Sequence, residues 1–253
     1  MKKLFAVLLF IFPLMLVAQE DSIAGKAYAY QKPTLSKTDI NSFVLFNGST
    51  YDLAQAEMTS NIIDGNKKIT LQNAVMECLL IVKSGTLVLN IKDSVFSLDK
   101  GSIALIMPSE NCVLQNTSNT SGEFYLMRYT SKMPEDKQRG LNAGGSVVIE
   151  WKNVVFTAHD KGGIRRFLDR PTAMLQHFEI HASTLKEGLK SHEPHTHRAA
   201  EIVVMLDGHT EMQIGNNFYK GKAGDVYYLP SNVPHAIRNE GNVNAEYFAI
   251  QFQ

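Results

Sequence analysis

From Leu71 onward the hydrophobic positions fall in short runs cut by turns. Thr86-Leu-Val-Leu-Asn-Ile91 and Glu211-Met-Gln-Ile214 have strand composition, and Gly85, Asp93, Gly101, Gly208, Gly215-Asn-Asn217 and Gly224 punctuate them. Short strands at this spacing predict an all-β sandwich or barrel. No long helical period interrupts the pattern. In Glu201–Leu206, Val203 and Met205 share one face, while Ile202, Val204 and Leu206 share the other. A strand apolar on both faces belongs between a barrel interior and another sheet.

The pattern repeats. Glu77-Cys-Leu-Leu-Ile-Val-Lys-Ser-Gly85 resembles Glu201-Ile-Val-Val-Met-Leu-Asp-Gly208. Gly85 and Gly101 are 16 residues apart, as are Gly208 and Gly224. Each second glycine opens a strand ending in proline, at Pro108 and Pro230, and each proline leads to an asparagine, Asn116 and Asn239. Turn glycines at equal spacing predict a duplicated barrel. The offsets slip by one residue in places, which predicts a bulge in one half.

The first 18 residues differ from all of this. Lys2 and Lys3 precede an apolar run from Leu4 to Val17, broken by Pro13, and Ala18-Gln19 leads into Glu20-Asp21. A basic head, a run of this length and a small residue at its end describe a secretory signal peptide. A membrane span needs about 20 apolar residues. The expected organisation is therefore a signal peptide (1–18), an N-terminal arm with first strands (19–69), a first barrel (70–135), a linker with bridging strands (136–172) and a second barrel (173–253).

Composition adds exclusions. Acids and bases balance at 25 each, so no basic face marks a nucleic-acid partner. Cys78 and Cys112 are the only cysteines, too few for a disulfide scaffold. Whether they pair is open, because an exported protein is exposed to oxidation.

The chemistry is concentrated in the second half, since all eight histidines lie at or after His159. His195, His197 and Glu201 have the same parity and share a face if the strand is regular. His235 follows a proline-bounded turn. Two imidazoles and a carboxylate on an inner wall are costly without a partner, and a bound cation supplies one. In the first half the ligand positions hold Leu71 and Asn73 if Glu77 is matched to Glu201. They hold Gln72 and Ala74 if the glycines are matched instead. Neither register supplies an imidazole, Cys112 sits near the place of His235, and only Glu201 has an echo, in Glu77. The first barrel is expected to be structural. His192, Gln213 and Tyr228 are placed as second-sphere or substrate-binding residues, with Tyr227 as a further cavity candidate. His177 and His181 alternate with apolar residues, which predicts an exposed strand face. Arg165 and Arg166 fit either an anionic substrate or a surface turn.

These segments resemble the two motifs of the cupin superfamily. His195-Thr-His197, Glu201 and Gly208 follow the first, with six residues rather than five between Gly188 and His195. Gly224, Pro230, His235 and Asn239 follow the second, and Asn232 stands where the family has glycine. Asparagine tolerates that left-handed turn best among side chains. The resemblance implies two tandem double-stranded β-helix (jelly-roll) barrels, a bicupin. It also implies one divalent ion (Mn, Fe, Ni or Zn) held by His195, His197, Glu201 and His235. The run His192-Glu-Pro-His195-Thr-His197 is similar to two-barrel cupins akin to ureidoglycine aminohydrolase. It is similar also to small cupins that open or isomerise unsaturated uronates. The implied function is that of an exported metal-dependent isomerase, lyase or hydrolase acting on a small sugar-derived or ureido acid, with a homo-oligomer compatible. The alternatives are a non-catalytic metal- or sugar-binding cupin and an iron-dependent dioxygenase. No residue is assigned as general acid or base.

Overall fold

The computed structural model describes residues 22–33, 40–71 and 74–253. The expected signal segment lies outside the described residues, as do Gln72 and Asn73. Among the described residues the first half runs β1 (Lys26–Tyr28), β2 (Ile40–Gly48), β3 (Leu53–Ile63), β4 (Lys68–Leu71), β5 (Glu77–Ser84), β6 (Leu87–Ile91), β7 (Ser94–Leu98), β8 (Ile103–Ile106), β9 (Cys112–Gln115) and β10 (Gly122–Ser131). A short helix α1 (Lys137–Asn142) follows. Then come β11 (Val147–Ile149), β12 (Phe156–His159), β13 (Gly162–Arg170), β14 (Phe178–Leu185), β15 (Ala200–Asp207), β16 (His209–Ile214), β17 (Asn217–Lys222), β18 (Val226–Leu229), β19 (His235–Asn239) and β20 (Ala245–Phe252).

These strands make two barrels, each a large sheet facing a small one. The first pairs the sheet β11-β8-β5-β10-β3-β2 with β4-β9-β6-β7. The second pairs β1-β18-β15-β20-β14-β13-β12 with β17-β16-β19. The alternation of side chains sorts the apolar residues into three cores. Leu80, Val82, Leu89, Leu114 and Leu126 fill the first barrel. Val203, Met205, Met212, Ile214 and Leu229 fill part of the second. The largest core lies between the barrels, where Leu79, Ile81, Tyr125 and Met127 meet Ile180, Ile202, Val204, Phe248 and Ile250. The two faces expected for β15 are thus observed: Val203 and Met205 look into the barrel, and Ile202, Val204 and Leu206 look at the other barrel.

The halves superpose in sequence at a constant step of 123 residues, from Gly85/Gly208 and Gly101/Gly224 to Asn116/Asn239. All four glycines have positive φ, as do Ser109 (65°) and Asn232 (59°) at matching turns. Asn232 thus adopts the left-handed conformation expected of it. Two expectations need correction. The bulge is not confined to one half: the ladder shifts between Val82 and Ser84 in β5 and between Met205 and Asp207 in β15, at matching places. Nor is Glu77 the counterpart of Glu201. The step of 123 matches Glu201 to Cys78, whose side chain joins the first barrel's interior. Glu77 has the opposite parity and turns toward the core between the barrels. There it is fully buried, and it accepts hydrogen bonds from Tyr129 Oη (2.9 Å), Thr172 Oγ1 (2.5 Å) and the backbone N–H of Ala173 (3.3 Å).

The barrels also exchange edges. β1, which precedes the first barrel, pairs with β18 of the second, Lys26 opposite Tyr228. β11, which precedes the second barrel, pairs with β8 of the first, Ile149 opposite Ile103. The phenol of Tyr125 adds a hydrogen bond to the Gly224 carbonyl across the same boundary (2.6 Å).

Candidate metal centre

Three segments of the second barrel converge on one point. Glu201 is the second residue of β15, and His235 opens β19. His195 and His197 lie before β15 begins at Ala200, so they are not on a regular strand. What aligns them is a pair of backbone hydrogen bonds between His195 and His235 (3.0 and 3.2 Å) and a third from Asn232 N–H to the His197 carbonyl (2.9 Å). The equal parity seen in the sequence is therefore not the cause of the arrangement.

Ligand nitrogens of His195, His197 and His235 lie within 4.8 Å of one another. Glu201 Oε2 is 3.3 Å from His197 Nε2 and 3.8 Å from His235 Nε2. The second sphere is in place: His197 Nδ1 is bonded to the Ala199 carbonyl (2.8 Å) and His235 Nδ1 to the Val233 carbonyl (2.9 Å). Such bonds fix the proton on Nδ1 and leave Nε2 as the free lone pair, as in metal-ligating histidines. Both Nε2 atoms are buried without a hydrogen-bond partner of their own. A buried polar atom left this way is costly. A cation at the centre of the four groups relieves it, so the residues fit a divalent ion.

The electrostatics agree. Burial alone raises the carboxyl of Glu201, but the imidazoles of His197 and His235, and beyond them His181, outweigh it and hold the group below its usual range. Burial lowers His235. Burial and the neighbouring imidazoles lower His195. The facing carboxylate of Glu201 raises His197. An ionised carboxylate beside mostly neutral imidazoles is the protonation state in which these groups ligate. Gln251 donates to Glu201 Oε2 (3.1 Å) and steadies it.

The cluster opens on a cavity of about 250 Å³ lined by His181, Ser183, Ser191, His192, Tyr247 and Gln251 among others. His192 lies at its mouth, exposed, its ring edge-on to His195 at 4.2 Å between centroids. His181 corrects the sequence expectation. It does not lie on an exposed face; its Nδ1 is 3.1 Å from Glu179 Oε1 and its ring lines the cavity. On β14 the apolar residues Phe178, Ile180 and Ala182 face the core between the barrels, so Glu179, His181 and Ser183 face inward. His177 stands further out, paired with Asp169 at 3.1 Å.

Three other assignments move away from the site. Tyr228 belongs to the core between the barrels. Gln213 faces outward on β16, between the inward residues Met212 and Ile214, and bonds to the Gly215 carbonyl. Tyr227 is inside the barrel but tied to Thr210 (3.0 Å) and does not line the cavity. Arg165 stacks on Trp151 and Phe156 and donates to the Val154 carbonyl, and Arg166 is exposed near Glu179.

In the first barrel the matching positions carry Cys78 for Glu201 and Cys112 for His235, both buried and neither joined in a disulfide. Burial pushes each thiol up to about 12. A thiol held protonated is a poor ligand, and the surrounding interior is apolar.

A cupin-domain family model matches residues 182–251. No curated protein matches the chain in sequence. Solved structures do match in fold. AerE from Microcystis aeruginosa is 18% identical, with a TM-score of 0.68 over 90% of this chain and 99% of that one. Protein Ylba from E. coli is 14% identical, with a TM-score of 0.68 over 96% and 97%. Oxalate decarboxylase from Lactobacillus farciminis, in a formate complex, is 11% identical, with a TM-score of 0.68 over 91% and 86%. Residues 182–251 are therefore similar to a cupin domain, and the chain shares the overall fold of these solved structures, built here as two tandem jelly-roll barrels.

Proposed function

We propose that this protein is an exported metal-dependent enzyme that moves a proton on a small polar substrate in the second barrel. His195, His197, Glu201 and His235 hold one divalent ion of the Mn, Fe, Ni or Zn type, whose Lewis acidity acidifies a C–H beside a coordinated carbonyl. The observation that carries the reading is the His181–Glu179 pair on the wall of the same cavity. Glu179 orients the imidazole, and His181 takes a proton and returns it. Gln251 keeps Glu201 in place. Isomerisation or lyase chemistry on a sugar-derived keto compound requires such a group.

Elemental analysis of purified protein tests the first half of the reading. About one equivalent of transition metal is expected in wild type and none in His195→Ala/His197→Ala, because the first barrel has no imidazole. A full equivalent in the double variant refutes the assignment. Deuterium incorporation from D2O into small keto sugars and ureido acids tests the second half. His181→Gln is expected to lower it by roughly 10²–10⁴-fold with metal retained. A metal-replete wild type that exchanges and converts none of them is a binding protein instead.

Export carries its own test. Intact mass of protein from the periplasm is expected to lack residues 1–18, as the Lys-Lys head and apolar run require. A retained Met1 rules export by this signal out.

A further inference from the structure

We propose that the first barrel, which holds no histidine, positions a ligand of the second: Asp52 holds Arg198, and through Arg198 it sets the orientation of His197. Asp52 is a positioning residue that does not touch the ion. The inference rests on the metal-centre reading above and concerns how that site is held.

His197 needs such a hold, because it lies on an irregular segment before β15. Its ring is aimed by the bond between Nδ1 and the Ala199 carbonyl (2.8 Å). Arg198 stands between the two in the chain, so its backbone angles decide whether ring and carbonyl meet. The backbone here is tied to the second barrel: Asn232 N–H donates to the His197 carbonyl (2.9 Å) and Ser231 Oγ to the Arg198 carbonyl (2.5 Å). The Arg198 side chain runs instead to the first barrel. Its guanidinium makes two bonds of 2.7 Å to the two carboxylate oxygens of Asp52 and lies over the Tyr51 ring, 4.3 Å from the centroid. Two parallel bonds and a stacked face fix the plane of a guanidinium, which a single ammonium contact does not do.

The anchor is firm. Asp52 belongs to the turn between β2 and β3, where Thr50 N–H donates to the Leu53 carbonyl and Leu53 N–H to the Thr50 hydroxyl, both at 3.0 Å. Lys132 N–H, just past β10, donates to the Asp52 carbonyl (2.8 Å). The Asp52 side chain is 16% exposed and that of Arg198 46%. An ion pair open on one side adds little to stability, so its effect falls on geometry. The clamp is also absent from the half without imidazoles: the step of 123 residues puts Val75, exposed, at the place of Arg198.

Metal binding by the full chain tests this. Protein stripped with a chelator is titrated with Co2+, whose visible absorption reports ligand geometry, and with Zn2+ in competition. Asp52→Ala and Arg198→Ala are each expected to weaken binding about tenfold, the low end for an outer-sphere partner, and to alter the Co2+ spectrum. Melting of the metal-free protein should change little. Arg198→Lys keeps the charge without the fork and should match Arg198→Ala. The double variant should be no worse than either single one, because both remove the same contact. Asp52→Asn, of the same shape but uncharged, takes the place of an alanine variant that does not fold. Glu123→Gln is the control: it disturbs the Lys83 and Tyr30 contacts of Glu123 and should leave affinity and spectrum as in wild type. Wild-type affinity and spectrum in the Asp52 and Arg198 variants overturn the proposal and leave the metal centre standing. So do additive losses in the double variant, and so does an equal loss in Glu123→Gln. A wild type that binds neither ion stoichiometrically overturns the metal-centre reading, and this inference with it.

Discussion

Replacing His235 by alanine is expected to lower metal content and melting temperature together, while His192→Ala changes both far less. An ion bound only by the folded chain stabilises it by RT ln(1 + [L]/Kd), about 2.7 kcal/mol at a hundredfold excess over Kd. His235 is the ligand candidate that is most buried, and its Nε2 lacks any other partner. Its loss forfeits most of that stabilisation. His192 is exposed and touches the cluster only through the His195 ring. Removing an outer-sphere group costs up to roughly ten- to a hundredfold in affinity, about 1.4–2.7 kcal/mol, and an exposed one belongs at the low end. A chelator is the control. It should destabilise wild type and leave His235→Ala nearly unchanged. Equal metal content and equal melting in His235→Ala and wild type exclude His235 as a ligand.

The second large effect lies far from the metal. Glu77→Leu is expected to destabilise the protein by about 3–5 kcal/mol in urea denaturation. The substitution leaves the Tyr129 and Thr172 hydroxyls and the Ala173 N–H buried without their acceptor, at roughly 1–3 kcal/mol each before relaxation. Glu77→Gln keeps an acceptor oxygen and should cost much less. Burial raises the Glu77 carboxyl above its usual range, against the hydrogen bonds that lower it. The fold thus favours the protonated form. Its contribution is present in full below the unfolded-state pKa and declines as pH rises through the raised folded value. The gap between wild type and Glu77→Gln should therefore narrow with rising pH. A Glu77→Leu protein as stable as wild type would show that the buried network contributes nothing.

The contrast between Glu77 and Glu201 shows how far sequence reasoning reaches. Turn glycines and the histidine motifs carried the duplicated barrel and the cluster of His195, His197, Glu201 and His235, because positive φ and ligand chemistry restrict residue choice. Parity within β15 correctly separated barrel interior from barrel interface. Parity failed where the frame was uncertain by one residue: the Glu77 match points the wrong way, while the glycine frame puts Cys78 inward. It failed again at β14. An alternation of polar and apolar residues looks the same whether the polar face meets solvent or a polar cavity, so His181 and Glu179 were invisible as a pair. Ser183, Tyr247 and Gln251 come together only through strand pairing across the sheet. Tyr228 and Gln213 went astray because an aromatic or an amide has no preferred face until its neighbours are known.

The exchanged edge strands have a consequence for ancestry. Each barrel's large sheet is finished by the segment that precedes the other barrel, β1 on β18 and β11 on β8. This is the connectivity of two identical one-barrel chains that swap N-terminal arms about a twofold axis. Joining them end to end turns a concentration-dependent dimer into a single molecule whose partner is always present. In a symmetric dimer every substitution appears twice, so a lost ligand empties both centres. Once fused, the copies mutate independently. One barrel can exchange its glutamate and histidine for a pair of cysteines and serve as scaffold, while its twin keeps the chemistry.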